Sequence, residues 1–204
     1  EYFDEDYDEI KEKVEFLEEL LIGCGAHVEG PDGHCMCGCE KVFDDELDLV
    51  IYFTGNLPNF SNLTELTRTE WDKLVNQFIN NPATSTQKAL EHFVPGGSDD
   101  PRKFKDAKGG IIIIGPDLPT GKKISGHERA KVEVFRGALR PFATTVNQEL
   151  SDVLKSNVRV FLILPGTVDG KEPVTQNIVN TINYLVTNES KSSSEVIFCP
   201  DETR

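Results

Sequence analysis

Basic residues are scarce in this sequence. Lys and Arg together number 21 against 35 Asp and Glu, and the formal net charge at pH 7 is −14. Nucleic acids and anionic membrane surfaces attract proteins through a positively charged face. The composition therefore argues against nucleic-acid binding. The acidic residues cluster in EYFDEDYDE at the start of the chain and in FDDELD at 43–48, and such runs are typical of a solvated surface.

Long hydrophobic runs are also missing. A membrane-spanning helix needs roughly 18 or more consecutive apolar residues. The run GGIIIIGP at 109–116 is far too short for that purpose. We therefore expect no membrane span.

Cysteine is sparse and unevenly spaced. The five cysteines are Cys24, Cys35, Cys37, Cys39 and Cys199. An odd, irregular set does not match a disulfide framework. The pattern favours a reducing intracellular compartment, either the cytoplasm or the matrix or stroma of an organelle.

Three of these cysteines lie in the stretch GPDGHCMCGCEK. Together with His34, Cys35, Cys37 and Cys39 form a set of soft ligands that suits zinc. Structural zinc sites usually draw Cys-x-x-Cys pairs from two separate places, and no second pair is evident. Ordinary thiols are the favoured interpretation, with zinc as the alternative. Redox sensing is a weaker third, because the neighbouring carboxylates do not favour a reactive thiolate.

Continuous apolar runs alternate with amphipathic segments along the chain. The runs at 47–55, 111–115, 157–166 and 195–200 predict buried strands, and residues 26–29 are compatible with a further short one. The segments at 7–22, 67–93, 127–154 and 173–186 predict helices. This alternation predicts an α/β fold, with a doubly wound, mainly parallel sheet covered by helices on both faces. We expect one domain over residues 1–204.

Two of the predicted helices carry local signals. Thr67 or Thr69 is a candidate N-cap, and Pro82 predicts a break or kink in the same segment. In the helix at 127–154 the spacing predicts one apolar stripe and a bend at Pro141. The stripe comprises Ala130, Val134, Ala138, Phe142 and Val146.

The order of these segments resembles that of the short-chain dehydrogenases/reductases. LDLVIYFTG stands where that family has a strand ending in an Asn-Asn-Ala-Gly turn, and TEWDKLVNQFIN stands where it has a helix with Trp and a catalytic Asn. GGIIIIG, the helix from His127, VFLILPGTV and EVIFCPD then follow in the family's order. The resemblance covers residues 47–201 and leaves 1–46 as an acidic, Cys-rich N-terminal part. It implies a Rossmann-like fold.

The resemblance also implies positions for catalytic residues. The family uses Asn, Ser, Tyr and Lys, and the matching positions here carry Asn80, Gly115 or Pro116, His127 and Lys131. His127-x-x-x-Lys131 thus stands in place of Tyr-x-x-x-Lys. Histidine suits proton transfer near neutral pH. The alternative is that both residues are simply solvated in the first turns of a helix.

Cofactor binding is the third implication of the resemblance. The family binds NAD(P), and the positions that would contact it here are Lys131, Gly55, Pro165 and Gly166. The family's first strand and Gly-rich turn are absent or altered, because the segment before the first predicted helix is acidic and has no glycine. The short DGKE connection after the turn at 165–167 also leaves little to cover a substrate. The sequence therefore leaves two expectations open, no cofactor or NAD(P).

Two functions follow from these departures. The first is a catalytically impaired domain that serves as a structural or interaction subunit of a larger assembly. It would pair with a protein partner or a second copy through the helices near 68–93 and 127–154, with Trp71, Phe135, Leu139 and Phe142 as candidate contacts. The second is a divergent NAD(P)-dependent oxidoreductase that uses His127 and Lys131, supported by Asn80.

Overall fold

In the described part of the chain, the sheet has five strands, all parallel. The computed structural model describes residues 26–29, 49–55, 57, 62–94, 101–117, 126–165, 175–187 and 196–198. The strands are β1 (Ala26–Glu29), β2 (Leu49–Phe53), β3 (Gly110–Ile114), β4 (Arg159–Leu164) and β5 (Val196–Phe198). They lie side by side in chain order. The short strand expected at 26–29 is confirmed as β1.

From β2 onward, helices connect the described strands, as is usual for parallel pairing. They are α1 (Arg68–Val75), α2 (Asn81–Phe93), α3 (Gly126–Gln148) and α4 (Thr175–Thr187). Two π-helical turns, Asn76–Asn80 and Glu149–Val153, follow α1 and α3, and short 3-10 segments lie at Leu63–Glu65 and Pro101–Asp106. Thr67 is the N-cap of α1, where it forms a capping box with Glu70.

Helices cover both faces of the sheet. One face of β2, β3 and β4 packs against α4 through Leu49, Ile51, Phe53, Ile112, Ile114, Phe161, Ile163, Ile178, Val179, Ile182 and Leu185. The other face packs against α2 and α3. That cluster includes Val50, Tyr52, Ile111, Ile113, Val160, Leu162, Ala89, Phe93, Leu139 and Ala143. Burial on both sides explains why these strands are continuously apolar, and it confirms the doubly wound α/β prediction.

Pro82 does not interrupt the helical path. It lies in the first turn of α2, where the missing N–H does least harm. The π-turn at Asn76–Asn80 comes directly before it, and the Asn81 N–H bonds back to the Asn76 carbonyl. The helical path therefore continues past the proline after a local π-turn, so the predicted break is wrong and the alternative, a kink, stays a prediction.

The predicted apolar stripe of α3 is right only in its second half, where Phe142 and Val146 pack against the core. Ala130 is exposed and Val134 is 46% exposed. The buried face instead carries Val132, Phe135, Leu139 and Ala143. Apolar residues occur on both sides of α3, so helical spacing alone did not identify the side that meets the sheet.

Several sequence predictions lie outside the described residues. These are the helix at 7–22, the cysteine-rich stretch with its candidate ligands Cys35, Cys37, Cys39 and His34, and the altered Gly-rich turn. The division of the chain at residue 46 stays a prediction. None of the described helices is long and apolar enough to cross a membrane.

Candidate functional site at the carboxyl ends of the strands

The turns that follow β2, β3 and β4 lie side by side. The Thr54 N–H donates to the Ile114 carbonyl at 3.0 Å, and the Gly115 N–H donates to the Ile163 carbonyl at 2.9 Å. Hydrogen bonding between the strands thus continues one residue beyond β2 and β3. In open parallel sheets, ligands bind outside this carboxyl edge. The fold therefore brings Gly55 and Pro165, two of the predicted cofactor positions, to this edge together with Gly115.

Gly55 is conformationally special in the first of these turns. Its φ angle is +72°, in the left-handed region that favours glycine. The preceding Thr54 is buried and donates from its hydroxyl to the Gly55 carbonyl at 3.2 Å. Glycine is thus explained here by backbone geometry. Its expected contact with a cofactor stays a prediction.

Gln77 provides the side-chain amide that bonds to the backbone at the end of β2. It lies in the π-turn after α1, is buried, and donates from Nε2 to the Thr54 carbonyl at 2.8 Å. Asn80, the amide chosen from the sequence, is exposed, and its Nδ2 donates to Asn76 Oδ1 at 2.7 Å. The sequence did not single out Gln77, because the π-turn shifts the phase of the helix. The role of Asn80 stays a prediction.

None of the three described residues after β3, at 115–117, carries a hydroxyl. Gly115 and Pro116 are both buried at the position where the resemblance implies serine. A Cβ atom at Gly115 would lie 2.7 Å from Leu164 Cδ2 and 3.4 Å from Leu139 Cδ1. The space that a side chain would need at residue 115 is therefore occupied by Leu164. Asp117, which comes next, is half-buried and is the first ionisable group after this strand.

The His-x-x-x-Lys pair lies at the start of α3. The helix begins at Gly126, so His127 is in its first turn and Lys131 is one turn later. Lys131 is half-buried. Residues four apart on a helix lie on the same side. The helix therefore keeps the one-turn spacing that the sequence predicted for His127 and Lys131. The catalytic role of the pair stays a prediction.

Arg136 is a functional candidate that sequence reasoning missed. It is only 1% exposed, and its Nη1 donates to the Pro165 carbonyl at 2.9 Å, directly after β4. Burial lowers the pKa of Arg136, while the negative charges of Glu133 and Asp117 raise it. Arginine nevertheless keeps its charge in proteins. The sequence did contain one indication of its burial. Arg136 lies on the same side of the helix as the apolar residues Val132 and Leu139.

Pro165 is buried at the end of β4, and its carbonyl is the acceptor for Arg136. Gly166, the other cofactor position expected in this turn, lies outside the described residues. Within the described ranges, no three His, Cys, Asp or Glu side chains form a group that could hold a metal ion.

Comparison with known proteins identifies the fold. No protein-family model and no curated protein matches the sequence. Among solved structures, a metagenomic short-chain oxidoreductase in complex with NADP is 20% identical, with a TM-score of 0.52, over 75% of this chain and 61% of that one. The acetoin dehydrogenase YohF from Salmonella typhimurium is 15% identical, with a TM-score of 0.54, over 76% and 64% of the two chains.

An NADH-dependent reductase responsible for alginate metabolism is similar to the same degree. It is 17% identical, with a TM-score of 0.55, over 76% of this chain and 63% of that one. The chain thus spans less than two thirds of the length of these structures. The parallel sheet, its two helical layers and these similarities agree with the order of segments read from the sequence. The chain has the fold of the short-chain dehydrogenases/reductases.

Proposed function

We propose that this chain is a short-chain dehydrogenase-like domain that has lost carbonyl chemistry and serves as an interaction subunit of a larger assembly. The observation that carries the proposal is the close packing at Gly115. A preorganised donor that polarises a carbonyl is commonly worth about 100- to 1000-fold in rate. Here Leu164 fills the space beside residue 115, and Pro116 offers no hydroxyl. The carbonyl-polarising group therefore has no equivalent on this strand end.

An exposed apolar surface on the paired helices supports the interaction role. Trp71 is 37% exposed, Ile79 41% and Val134 46%. The Trp71 and Phe135 rings are 6.1 Å apart, which links α1 to α3 beside this surface. Exposed large apolar side chains, when they cluster, are typical of surfaces that bind another protein. We refer to Trp71, Ile79 and Val134 as the outer helical surface.

Not all of the contacts expected from the sequence are available to a partner. Phe135 and Leu139 are at most 2% exposed, because they pack in the chain's own core. Phe142 is half-buried against the sheet. Of the four expected contacts, Trp71 is the one most open to a second protein. A partner that fits this surface is apolar and helical, and a second copy of the chain is the one that can be measured directly.

Sedimentation equilibrium on the full chain tests the interaction role. We expect concentration-dependent association, and we expect Val134→Asp to weaken it by about tenfold or more. The matched control is Val153→Asp, since Val153 is 73% exposed and lies outside the outer helical surface. A monomer at all concentrations, or equal effects of the two substitutions, would contradict association of copies through this surface.

The loss of chemistry is tested separately by NADPH oxidation with a panel of aldehydes and ketones. We expect the unchanged chain to be no faster than Lys131→Ala. A rate that exceeds this background and depends on Lys131 would overturn the proposal.

A divergent NAD(P)-dependent oxidoreductase is the second candidate. The one-turn spacing of His127 and Lys131 at the start of α3 favours it, as does the NADP bound to a structurally similar protein. In this reading Lys131 holds the cofactor ribose and His127 transfers a proton. Calorimetric titration with NADPH tests the candidate, with Lys131→Ala as the variant and Lys88→Ala, an exposed position on α2, as the control. Micromolar binding that only Lys131→Ala weakens would support it. No binding at millimolar NADPH would contradict it.

A further inference from the structure

Arg136 is the largest of the fully buried side chains. Burying a charge is costly unless it is paired and hydrogen-bonded. One hydrogen bond of the guanidinium goes to the backbone of the turn after β4, at Pro165. Its Nε is buried and has no hydrogen-bond partner in the described part of the chain. A buried cation of this kind calls for an explanation beyond simple core packing.

The charges around Arg136 connect three elements. Glu133 is on the same helix and also accepts from Arg140 Nη2 at 3.2 Å. Asp117 follows β3 and attracts the guanidinium, and the acceptor carbonyl of Pro165 follows β4. The positive charges of Arg129 and Arg140, which are also on α3, repel the guanidinium. Arg136 therefore joins α3 by a hydrogen bond to the residue that follows β4, with the negative charge of Asp117 after the neighbouring strand β3.

We propose that Arg136 is a positioning residue that fixes the turns after β3 and β4 relative to each other, and so sets the shape of the carboxyl-edge site. The hydrogen bond holds the Pro165 carbonyl from the helix side. The Gly115 N–H to Ile163 carbonyl bond holds the neighbouring turn from the strand side. Both bonds act within two residues of the end of β4, so loss of the first loosens the second.

The same arrangement has a consequence for ligands. Pro165 is one of the positions at which the second candidate function needs a cofactor contact, so this part of the inference rests on NAD(P) binding. A displaced Pro165 turn would weaken the binding of NADPH without removing any group that touches it. Loosening of the turns themselves does not depend on a cofactor.

Amide hydrogen exchange, measured by nuclear magnetic resonance on the full chain, tests the positioning role without any ligand. In Arg136→Met we expect the Gly115 amide to exchange about tenfold faster relative to the Ile112 amide in the middle of β3, because a buried carbonyl loses its donor. The control Arg68→Met removes the same charge from an exposed ion pair with Asp72 on α1. It should leave the ratio of the two exchange rates unchanged.

Arg136→Lys keeps the charge but loses the planar fork of donors, and it serves if the methionine variant does not fold. Here too the Gly115 amide should exchange faster relative to that of Ile112. Equal acceleration at both amides would mean that Arg136 only stabilises the whole domain, and the proposal would be wrong.

The NADPH titration then separates the two ideas. If the unchanged chain binds NADPH, we expect Arg136→Met to weaken binding by about tenfold, and unaltered binding would contradict the consequence for ligands. If the unchanged chain does not bind NADPH, the second candidate function fails. The exchange result still decides the positioning role.

Discussion

The side-chain amide of Asn147 pairs with both backbone polar groups of Val160. Asn147 Nδ2 donates to the Val160 carbonyl, and the Val160 N–H donates to Asn147 Oδ1 at 2.8 Å. The neighbouring Arg159 N–H points towards β3, where it donates to the Gly109 carbonyl. The N–H and carbonyl of Val160 therefore point to the edge of β4 opposite β3. Among the described residues, β5 pairs with β4 from Leu162 onward. Asn147 supplies the hydrogen bonds that a longer β5 would have made.

We expect Asn147→Leu to lower the free energy of unfolding by about 2 kcal/mol or more. The substitution leaves a buried N–H and a buried carbonyl of Val160 without partners. Urea denaturation followed by circular dichroism measures the change. Gln148→Leu, at the exposed next position of α3, is the control and should change stability by less than about 0.5 kcal/mol. A similar loss in both variants would argue against the pairing with Val160.

The capping box of α1 predicts a pH dependence. The Glu70 carboxylate accepts from the Thr67 hydroxyl and the Thr67 N–H, both at 2.7 Å. These bonds lower the pKa of Glu70, the side-chain bond more than the backbone bond. A lowered pKa means that the ionised form stabilises the folded state. That contribution is present above the ordinary glutamate pKa and is lost as the pH falls through the lowered one.

We therefore expect the stability difference between the unchanged chain and Glu70→Gln to shrink as the pH falls through this acidic range. Thermal unfolding at a series of pH values measures it. Glu91→Gln, at an exposed position of α2, is the control. A difference that stays constant with pH would contradict the role assigned to the Glu70 carboxylate. Thr67→Ala should lower stability at neutral pH by about 0.5–2 kcal/mol.

A double-mutant cycle tests the packing between Gly115 and Leu164. We expect Gly115→Ala to cost about 1–3 kcal/mol, because the new Cβ atom meets Leu164 Cδ2 at 2.7 Å. Leu164→Ala alone should cost about 2–5 kcal/mol by leaving a cavity in the core. In the Leu164→Ala background the cost of Gly115→Ala should fall towards zero. Costs that simply add would show that Leu164 does not exclude a side chain at residue 115.

Replacement of glycine by alanine should change the stability in opposite directions at two positions. Gly109 has a φ angle of +148°, and a Cβ atom there would lie 2.7 Å from the Phe93 ring. Gly137 lies inside α3, and a Cβ atom there would meet nothing within 4 Å. We expect Gly109→Ala to destabilise by about 1–3 kcal/mol and Gly137→Ala to stabilise by about 0.5–1 kcal/mol. Thermal unfolding at low protein concentration compares them, and changes of the same sign would contradict the assignment.

The sequence by itself determined the fold class. Continuous apolar runs such as IIII at 111–114 predict strands buried on both sides. Their alternation with amphipathic helices favours a parallel sheet, because the connecting helices then cover both faces. The sequence also indicated the family's order of elements and a cap at Thr67 or Thr69, of which the structure has Thr67. These features depend on local periodicity and on side-chain chemistry within a few residues, which can be read without a structure.

Only the tertiary structure decided which side of α3 faces the sheet, since Val134 and Phe135 are both apolar and only one is buried. It also decided that Gln77 meets the end of β2, because a π-turn changed the phase of the helix. The contact of Arg136 with Pro165 joins residues 29 positions apart. Such pairings arise from how separate elements pack, and no local pattern in the sequence specifies them.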